Sequence, residues 1–131
     1  MVLGAGGKMG PTLARMVRRG LDEIGHQKRR VIAVSRFSST SAAEALQRHG
    51  VETIACDLLD RVAVGALPQT PNIIFMAGQK FGTSEAPELT WVMNTLVPAY
   101  VAEHFAKSRI VVFSTGCVYP CLLYTSPSPR D

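Results

Sequence analysis

The chain has 131 residues, a length that fits one domain and leaves little room for a second hydrophobic core. Hydrophobic residues make up 47% and charged residues 18%, a balance that excludes a disordered, collagen-like or coiled-coil protein. Basic residues outnumber acidic ones by 14 to 10, and the excess lies mainly in the first quarter of the chain, where we interpret it as solvated surface rather than as a nucleic-acid site.

Strands and helices are predicted to alternate along the chain. Short apolar runs rich in β-branched residues predict strands at residues 1–3, 31–35, 51–56, 72–77 and 109–114. Apolar strands that are separated by helices are typical of a parallel sheet with right-handed crossovers. The sequence therefore predicts an α/β protein with a doubly wound, Rossmann-like parallel sheet of about five strands, incomplete at one flank.

The first helix is predicted at residues 11–19. Leu13, Met16 and Val17 fall on one face at helical spacing, so this face is expected to pack on the sheet. Gly20 follows directly and is expected to end the helix.

Two further helices are predicted. The second covers residues 42–49; Ser41 and Glu44 have the spacing of a capping box, and Gly50 suits the left-handed position that ends a helix. The third covers residues 87–105 and is expected to kink at its second proline, which has no backbone N–H to donate.

A glycine-rich turn joins the first strand to the first helix. Gly4, Gly7 and Gly10 give the spacing GxxGxxG at the place where backbone N–H groups and a helix N-terminus can bind a pyrophosphate. A GxGxxG fingerprint requires glycine at position 9 and a P-loop requires Ser or Thr there, and Met9 satisfies neither. The turn therefore predicts a dinucleotide-binding loop, with an ordinary tight turn as the alternative.

The predicted second strand ends in Ser35 and Arg36. At this place in dinucleotide-binding folds a carboxylate favours NAD, whereas an arginine accommodates the 2′-phosphate of NADP. No acidic residue occurs between Glu23 and Glu44, and Arg36 can bind a phosphate through two parallel hydrogen bonds. The sequence predicts an NAD(P) cofactor and favours NADP; the alternative is a solvated loop arginine.

Two later segments resemble a known family. Residues 75–80 (FMAGQK) and 114–119 (STGCVY) are similar to the ends of the fourth and fifth strands in the NAD-dependent epimerase/dehydratase family of extended short-chain dehydrogenase/reductases, which includes UDP-galactose 4-epimerase. Pro120 stands where that family has a glycine. The resemblance extends over residues 1–120, and it implies hydride transfer between NAD(P) and a nucleotide sugar or a similar hydroxyl/carbonyl substrate.

The resemblance also implies which residues surround the adenosine and phosphate parts of the cofactor. Those around the pyrophosphate would be Gly4, Gly7, Lys8, Met9 and Gly10. Ser35 and Arg36 would contact the adenosine ribose. Asp57 would accept a hydrogen bond from the adenine amino group and Leu58 would pack on its ring; the alternative for Asp57 is a cap on the next helical turn.

By the same resemblance, the nicotinamide half would lie beside Ala77, Gly78 and Lys80, with Lys80 donating to a ribose hydroxyl. Asn94 matches an asparagine on the family's fourth helix; the alternative is a helix side chain whose hydrogen bonds are satisfied within the protein. Thr115 stands where the family has a hydroxyl that donates to the reacting substrate oxygen, so it is the candidate catalytic residue, with a strand-end hydroxyl as the alternative.

The family's proton chemistry uses a tyrosine whose pKa is lowered by a lysine four residues later. No such pair occurs here, because the fourth residues after Tyr100, Tyr119 and Tyr124 are His, Leu and Ser. In the family the pair lies well beyond the position of Thr115. This chain alone is therefore expected not to catalyse the reaction.

The ends of the chain look incomplete. Residues 121–131 (CLLYTSPSPRD) follow no helical or strand period and resemble the translated read-through of a sequencing adapter, so we predict a native domain at residues 1–120 and a non-native tail at 121–131. Only three residues precede the first glycine, whereas a strand usually has about five or six. We expect an N-terminal piece of a longer protein, with apolar surface exposed at one flank of its sheet.

Cysteine spacing and hydropathy bear on metal binding and on the cellular compartment of the protein. Cys56, Cys117 and Cys121 show no CxxC or Cys/His spacing, which predicts structural thiols and no metal site. No apolar run approaches the roughly 20 residues of a membrane span, and the start lacks the pattern of a signal peptide. A cytoplasmic protein without membrane contacts is expected.

Three functions remain open from the sequence. The first is an NAD(P)-dependent enzyme as the full-length protein, which Thr115 favours. The second is an NAD(P)-binding sensor or regulatory protein without catalysis. The third is a cofactor-binding domain that forms a homodimer through the helix at residues 87–105.

Overall fold

The computed structural model describes residues 1–79 and 86–114, and these contain a five-stranded parallel sheet. Its strands are β1 (Val2–Leu3), β2 (Ile32–Ser35), β3 (Glu52–Ala55), β4 (Asn72–Phe75) and β5 (Arg109–Val112). The strand order is β3-β2-β1-β4-β5, and every pairing is parallel. The predicted doubly wound α/β fold is confirmed, although the strands are shorter than predicted because their ends leave the sheet as loops.

Helices cover both faces of the sheet. They are α1 (Gly10–Glu23), α2 (Thr40–Gln47), α3 (Arg61–Gly65), α4 (Pro87–Trp91) and α5 (Val97–His104), with a π-helical turn (Val92–Leu96) between the last two. No helix within the described ranges is long and apolar enough to cross a membrane.

Two apolar clusters hold the helices to the sheet. On one face, Ala14 of α1 and Leu46 of α2 pack with Val2 of β1 and Ala33 of β2. On the other face, the residues that pack together from α3, α5 and the strands include Val64, Val97, Val101, Phe105, Leu3, Val34 and Phe75. Adjacent residues of one strand thus belong to opposite clusters, as expected for a strand buried on both sides.

The edge strand β5 is less covered than the others. Val111, Val112 and Phe113 are between 47% and 58% exposed. Among the described residues, the flank of the sheet at β5 therefore exposes apolar side chains.

Helix α1 is longer than predicted. It continues through Gly20 to Glu23: Gly20 does not take the left-handed conformation that ends a helix, and it lies on an open face where nothing packs against it. The chain leaves the helical direction at Gly25, where φ is +78°. Met16 is 63% exposed, so its predicted place on the packing face was wrong, whereas Val17 packs against the sheet as predicted. The buried positions of the helix are Gly10, Ala14 and Arg18, spaced four residues apart.

Helix α2 also begins differently from the prediction. Ser39, not Ser41, is the N-cap residue, and no side-chain cap hydrogen bond forms, so the predicted capping box was wrong. The two serine hydroxyls instead lie 2.6 Å apart. Gly50 has φ of +72°, which confirms the predicted left-handed residue after the helix.

The irregularity of the third predicted helix lies just before Pro98 rather than at it. The N–H of Val97 donates to the carbonyl of Val92, five residues back, which defines a π turn. Pro98 has no N–H for an α-helical bond to the carbonyl of Asn94. The helix therefore widens ahead of the proline and resumes α geometry at Val97.

Arg18 is a charged side chain that the fold buries, at 8% exposure. Its guanidinium donates to the Asp22 carboxylate through Nε at 3.2 Å and Nη2 at 2.8 Å. It also donates to the carbonyls of His26 and Arg29 in the loop that leads to β2. One side chain thus fixes the end of α1 to the next connection.

We expect Arg18→Ala to lower the free energy of unfolding by about 1.5–3 kcal/mol, because the buried guanidinium and its charged hydrogen bonds to a half-exposed carboxylate and two carbonyls are lost. Arg19→Ala is the matched control. Arg19 pairs with Glu23 at 2.8 Å on the exposed face, and its loss should cost at most about 0.5 kcal/mol. Denaturant unfolding measures both values, and equal losses would contradict the assignment.

An ion pair joins the loop before β2 to β3. Arg30 donates to Glu52 through Nε at 2.7 Å and Nη2 at 2.6 Å. The hydrogen bonds from the guanidinium, reinforced by its charge, hold the pKa of Glu52 below its ordinary value.

Because the pKa of Glu52 is lower in the folded chain, the pair stabilises the fold above the unfolded-state pKa of about 4.3, and this stabilisation is lost as the pH falls through the folded-state pKa. We expect Glu52→Gln to melt at a slightly lower temperature than the wild type at neutral pH, and this difference should vanish in strong acid. Thermal melts across this range test it, and a difference independent of pH would show that the charge plays no part.

Candidate functional site

A groove of about 460 Å³ lies at the carboxyl ends of β1, β2, β3 and β4. Eight of the predicted site residues line it: Gly4, Gly7, Ser35, Arg36, Asp57, Leu58, Ala77 and Gly78. A larger cavity of about 650 Å³ lies at the opposite edge of the sheet and contains none of the predicted site residues. The sheet therefore gathers residues that are up to 74 positions apart in the sequence into one groove.

The other predicted site residues lie outside the lining of the groove. Lys8, Met9 and Gly10 lie at the start of α1 next to the groove, and the first two are exposed. Asn94 lies on the π turn behind the segment that follows β4. Lys80 and Thr115 lie outside the described residues, as does the predicted tail at 121–131.

Two glycines of the turn between β1 and α1 are required by the packing of the protein itself. Gly4 has φ of +84°, and a Cβ there would lie 2.6 Å from the backbone nitrogen of Ala77. A Cβ at Gly10 would overlap the backbone of Ala5. These two glycines let the turn and the start of α1 lie directly against neighbouring backbone.

Gly7 differs from the other two. A Cβ there would have only the carbonyl oxygen of Gly4 nearby, at 3.6 Å, which is an ordinary contact. The N-terminus of α1, which follows, has Met9 as its N-cap, no side-chain cap and no acidic residue in its first turn. The open space at Gly7 therefore lies beside the positive end of a helix dipole, an arrangement that favours an anion.

A contact between the turn and β2 was not predicted from the sequence. A Cβ at Gly6 would overlap the hydroxyl oxygen of Ser35, so Gly6 leaves the room that the Ser35 side chain occupies. The two residues are far apart in the sequence, and no local pattern links them. Only the parallel pairing of β1 with β2 brings them together.

Asp57 and its neighbours form the wall of the groove beyond β3. Asp57 Oδ1 accepts a hydrogen bond from the N–H of Leu59 at 3.0 Å, so the predicted alternative of a capping role is observed, on a residue that also lines the groove. Cys56 is buried beside it, and burial, with the charges of Asp57 and Asp60, raises the pKa of its thiol. Burial favours the predicted structural role for Cys56, while Cys117 and Cys121 lie outside the described residues.

Asn94 holds the opposite wall through backbone contacts. Its Oδ1 accepts from the N–H of Gln79 at 3.0 Å, and its Nδ2 donates to the carbonyl of Gln79 at 2.9 Å. The same Oδ1 would lie 3.1 Å from a Cβ at Gly78. Asn94 thus satisfies its polar groups within the protein and fixes the chain that leaves β4, while Met93 beside it lines the groove.

The fold is that of a Rossmann-like α/β protein. It has the expected sheet order, a glycine turn at the point where the strand order reverses, and a groove outside the strand ends. The chain belongs to the NAD-dependent epimerase/dehydratase family, which it matches over residues 1–129. No curated protein matches the chain. Membership of this family confirms the predicted resemblance and supports a nicotinamide cofactor.

The contrast between the glycines is testable without any ligand. Gly7→Ala should change the free energy of unfolding by less than about 0.5 kcal/mol, because its Cβ enters open space. Gly10→Ala should lower it by about 1–3 kcal/mol, because its Cβ meets backbone that cannot move aside. Denaturant unfolding compares the two variants, and a smaller loss for Gly10→Ala than for Gly7→Ala would refute the packing argument.

Proposed function

We propose that the chain is the cofactor-binding part of an NAD(P)-dependent enzyme that epimerises, dehydrates or reduces a nucleotide sugar or a similar hydroxyl/carbonyl substrate. The observation that carries the proposal is the groove in which a glycine turn, the end of β2, the end of β3 and the segment after β4 meet. Such a groove outside the carboxyl ends of parallel strands is where open α/β sheets bind their ligands.

The residues present fit a dinucleotide. The open space at Gly7 and the uncapped N-terminus of α1 suit a pyrophosphate, because both offer backbone donors and neither offers a negative charge. Lys8, Met9 and Gly10 continue this region into the helix. The described part of the chain has no ion-pair partner for Arg36, whose side chain is exposed at the groove and suits a phosphate on the adenosine ribose.

The remaining assignments follow the shape of the groove. Asp57 keeps one carboxylate oxygen outside its capping bond, and we assign it to the adenine amino group, with Leu58 packing on the ring. Ala77 and Gly78 would lie beside the nicotinamide half, with Lys80 donating to its ribose. The cofactor, when bound, supplies reversible hydride transfer, and we assign Thr115 the role of hydrogen-bond donor to the substrate oxygen.

We further propose that the groove prefers NADP to NAD, and a substitution at Arg36 tests this preference. We expect the chain to bind NADPH more tightly than NADH by roughly 10-fold or more, the effect of one hydrogen-bonded charge, and Arg36→Asp to reverse the order. Arg48→Asp, an equal charge change at an exposed residue outside the groove, is the matched control and should keep the order. Isothermal titration measures both affinities; equal affinities in the wild type would refute the preference, and no binding of either would refute the proposal.

A non-catalytic NAD(P) sensor is the second candidate, because the groove would serve cofactor binding without catalysis equally well. Sequencing the source DNA past the codon for Pro120 separates the two. An in-frame Tyr-x-x-x-Lys further along the chain would support the enzyme. A frame that continues without the pair would favour the sensor.

A further inference from the structure

Phe37 has an unusual backbone conformation beside the groove. Its φ is +44°, and it is the one non-glycine residue with positive φ in the described part of the chain. The left-handed region is unfavourable for a residue with a Cβ and a bulky ring, and glycine would adopt it without this cost. Contacts with the surrounding structure therefore have to hold Phe37 in this conformation.

The ring of Phe37 supplies that restraint. It is partly buried and packs against the apolar cluster beneath α1 and α2, which contains Ala14 and Leu46. Neighbouring glycines could relax the chain here, but none occurs between Arg36 and Thr40. The loop between β2 and α2 is thus anchored at its middle by one aromatic side chain.

The conformation of Phe37 decides which neighbours reach the groove. In an extended chain, successive side chains alternate between opposite faces. Here Arg36, Phe37, Ser38 and Ser39 all line the groove in succession, because the chain turns sharply at Phe37. The turn therefore brings Arg36, Ser38 and Ser39 together on one side of the groove.

We propose that Phe37 is a positioning residue for cofactor choice: its anchored ring holds the strained loop so that Arg36 and the two serines together recognise a phosphate on the adenosine ribose. The inference rests on the proposed function, because it names what sets the selectivity of that groove. Phe37 acts through Arg36 and need not touch the phosphate itself.

The test compares two small nucleotides that differ only in the 2′-phosphate. Isothermal titration of the 131-residue chain with adenosine 2′,5′-bisphosphate and with 5′-AMP should show roughly 10-fold or greater preference for the bisphosphate in the wild type. In Phe37→Ala this ratio should fall below about 3-fold, while the affinity for 5′-AMP changes by less than about 2-fold.

Val17→Ala is the matched control. Val17 packs against the same apolar cluster from α1, so this variant also removes packing from the cluster, by two methyl groups, without touching the loop, and its ratio should equal that of the wild type. A ratio that Phe37→Ala leaves unchanged, or that both variants reduce equally, would overturn the role of Phe37 alone. A wild type that binds both nucleotides equally would overturn the selectivity as well, and one that binds neither would overturn the proposed function.

A second comparison tests the strain directly. At most positions glycine destabilises a fold relative to alanine, but at a left-handed position the order is reversed. Phe37→Gly should therefore unfold at a higher temperature than Phe37→Ala. Both variants should lose the preference for the bisphosphate over 5′-AMP to the same extent. A lower melting temperature for Phe37→Gly would show that the loop is not held in this conformation in solution.

Discussion

The close approach of the β1–α1 turn to the segment after β4 determines the geometry of the carboxyl edge of the sheet. Gly4 allows it, since any side chain there would collide with the backbone of Ala77. The same turn is joined to β2, because the N–H groups of Gly4 and Ala5 both donate to the carbonyl of Val34 at 3.0 Å. One turn is thus held by both neighbours of β1, and the start of α1 follows from it.

The walls of the groove share a common construction. Each wall is held by one side chain: two of these side chains hydrogen-bond to backbone, and the third packs on an apolar cluster. Asn94 holds the backbone of Gln79, the carboxylate of Asp57 caps the turn after β3, and the ring of Phe37 anchors the loop after β2. These contacts restrain the walls from within the protein, and such preorganisation reduces the conformational entropy lost on binding.

The sequence predicted those features that depend on local pattern or on chain order. Apolar runs separated by helices were enough to predict the parallel sheet, and the glycine spacing was enough to predict the turn at its centre. Features that depend on distant partners were not predictable. Gly20 lies on a solvent face where a glycine is tolerated within the helix, and the burial of Arg18 depends on carbonyls that only the folded loop provides.

In the site, too, residues in local motifs were predictable and those that depend on distant partners were not. The family motifs located eight of the residues that line the groove, whereas Gly6 was missed because its partner Ser35 belongs to another strand. The positive φ of Phe37 was also missed, since a phenylalanine in a loop carries no sequence signal for a left-handed backbone. Both depend on tertiary packing, which overrides local preference.

Because of the π turn, an insertion or deletion in this helix would be poorly tolerated. Each residue of an α-helix rotates the chain by about 100°, so the extra residue of a π turn changes the direction of every side chain after it. Asn94, within the turn, contacts Gln79, while Val97 and Val101, after it, enter the core. A deletion or insertion of one residue between Asn94 and Val97 would force one of these sets out of place. This helix therefore tolerates substitution at its exposed positions far better than any change in its length.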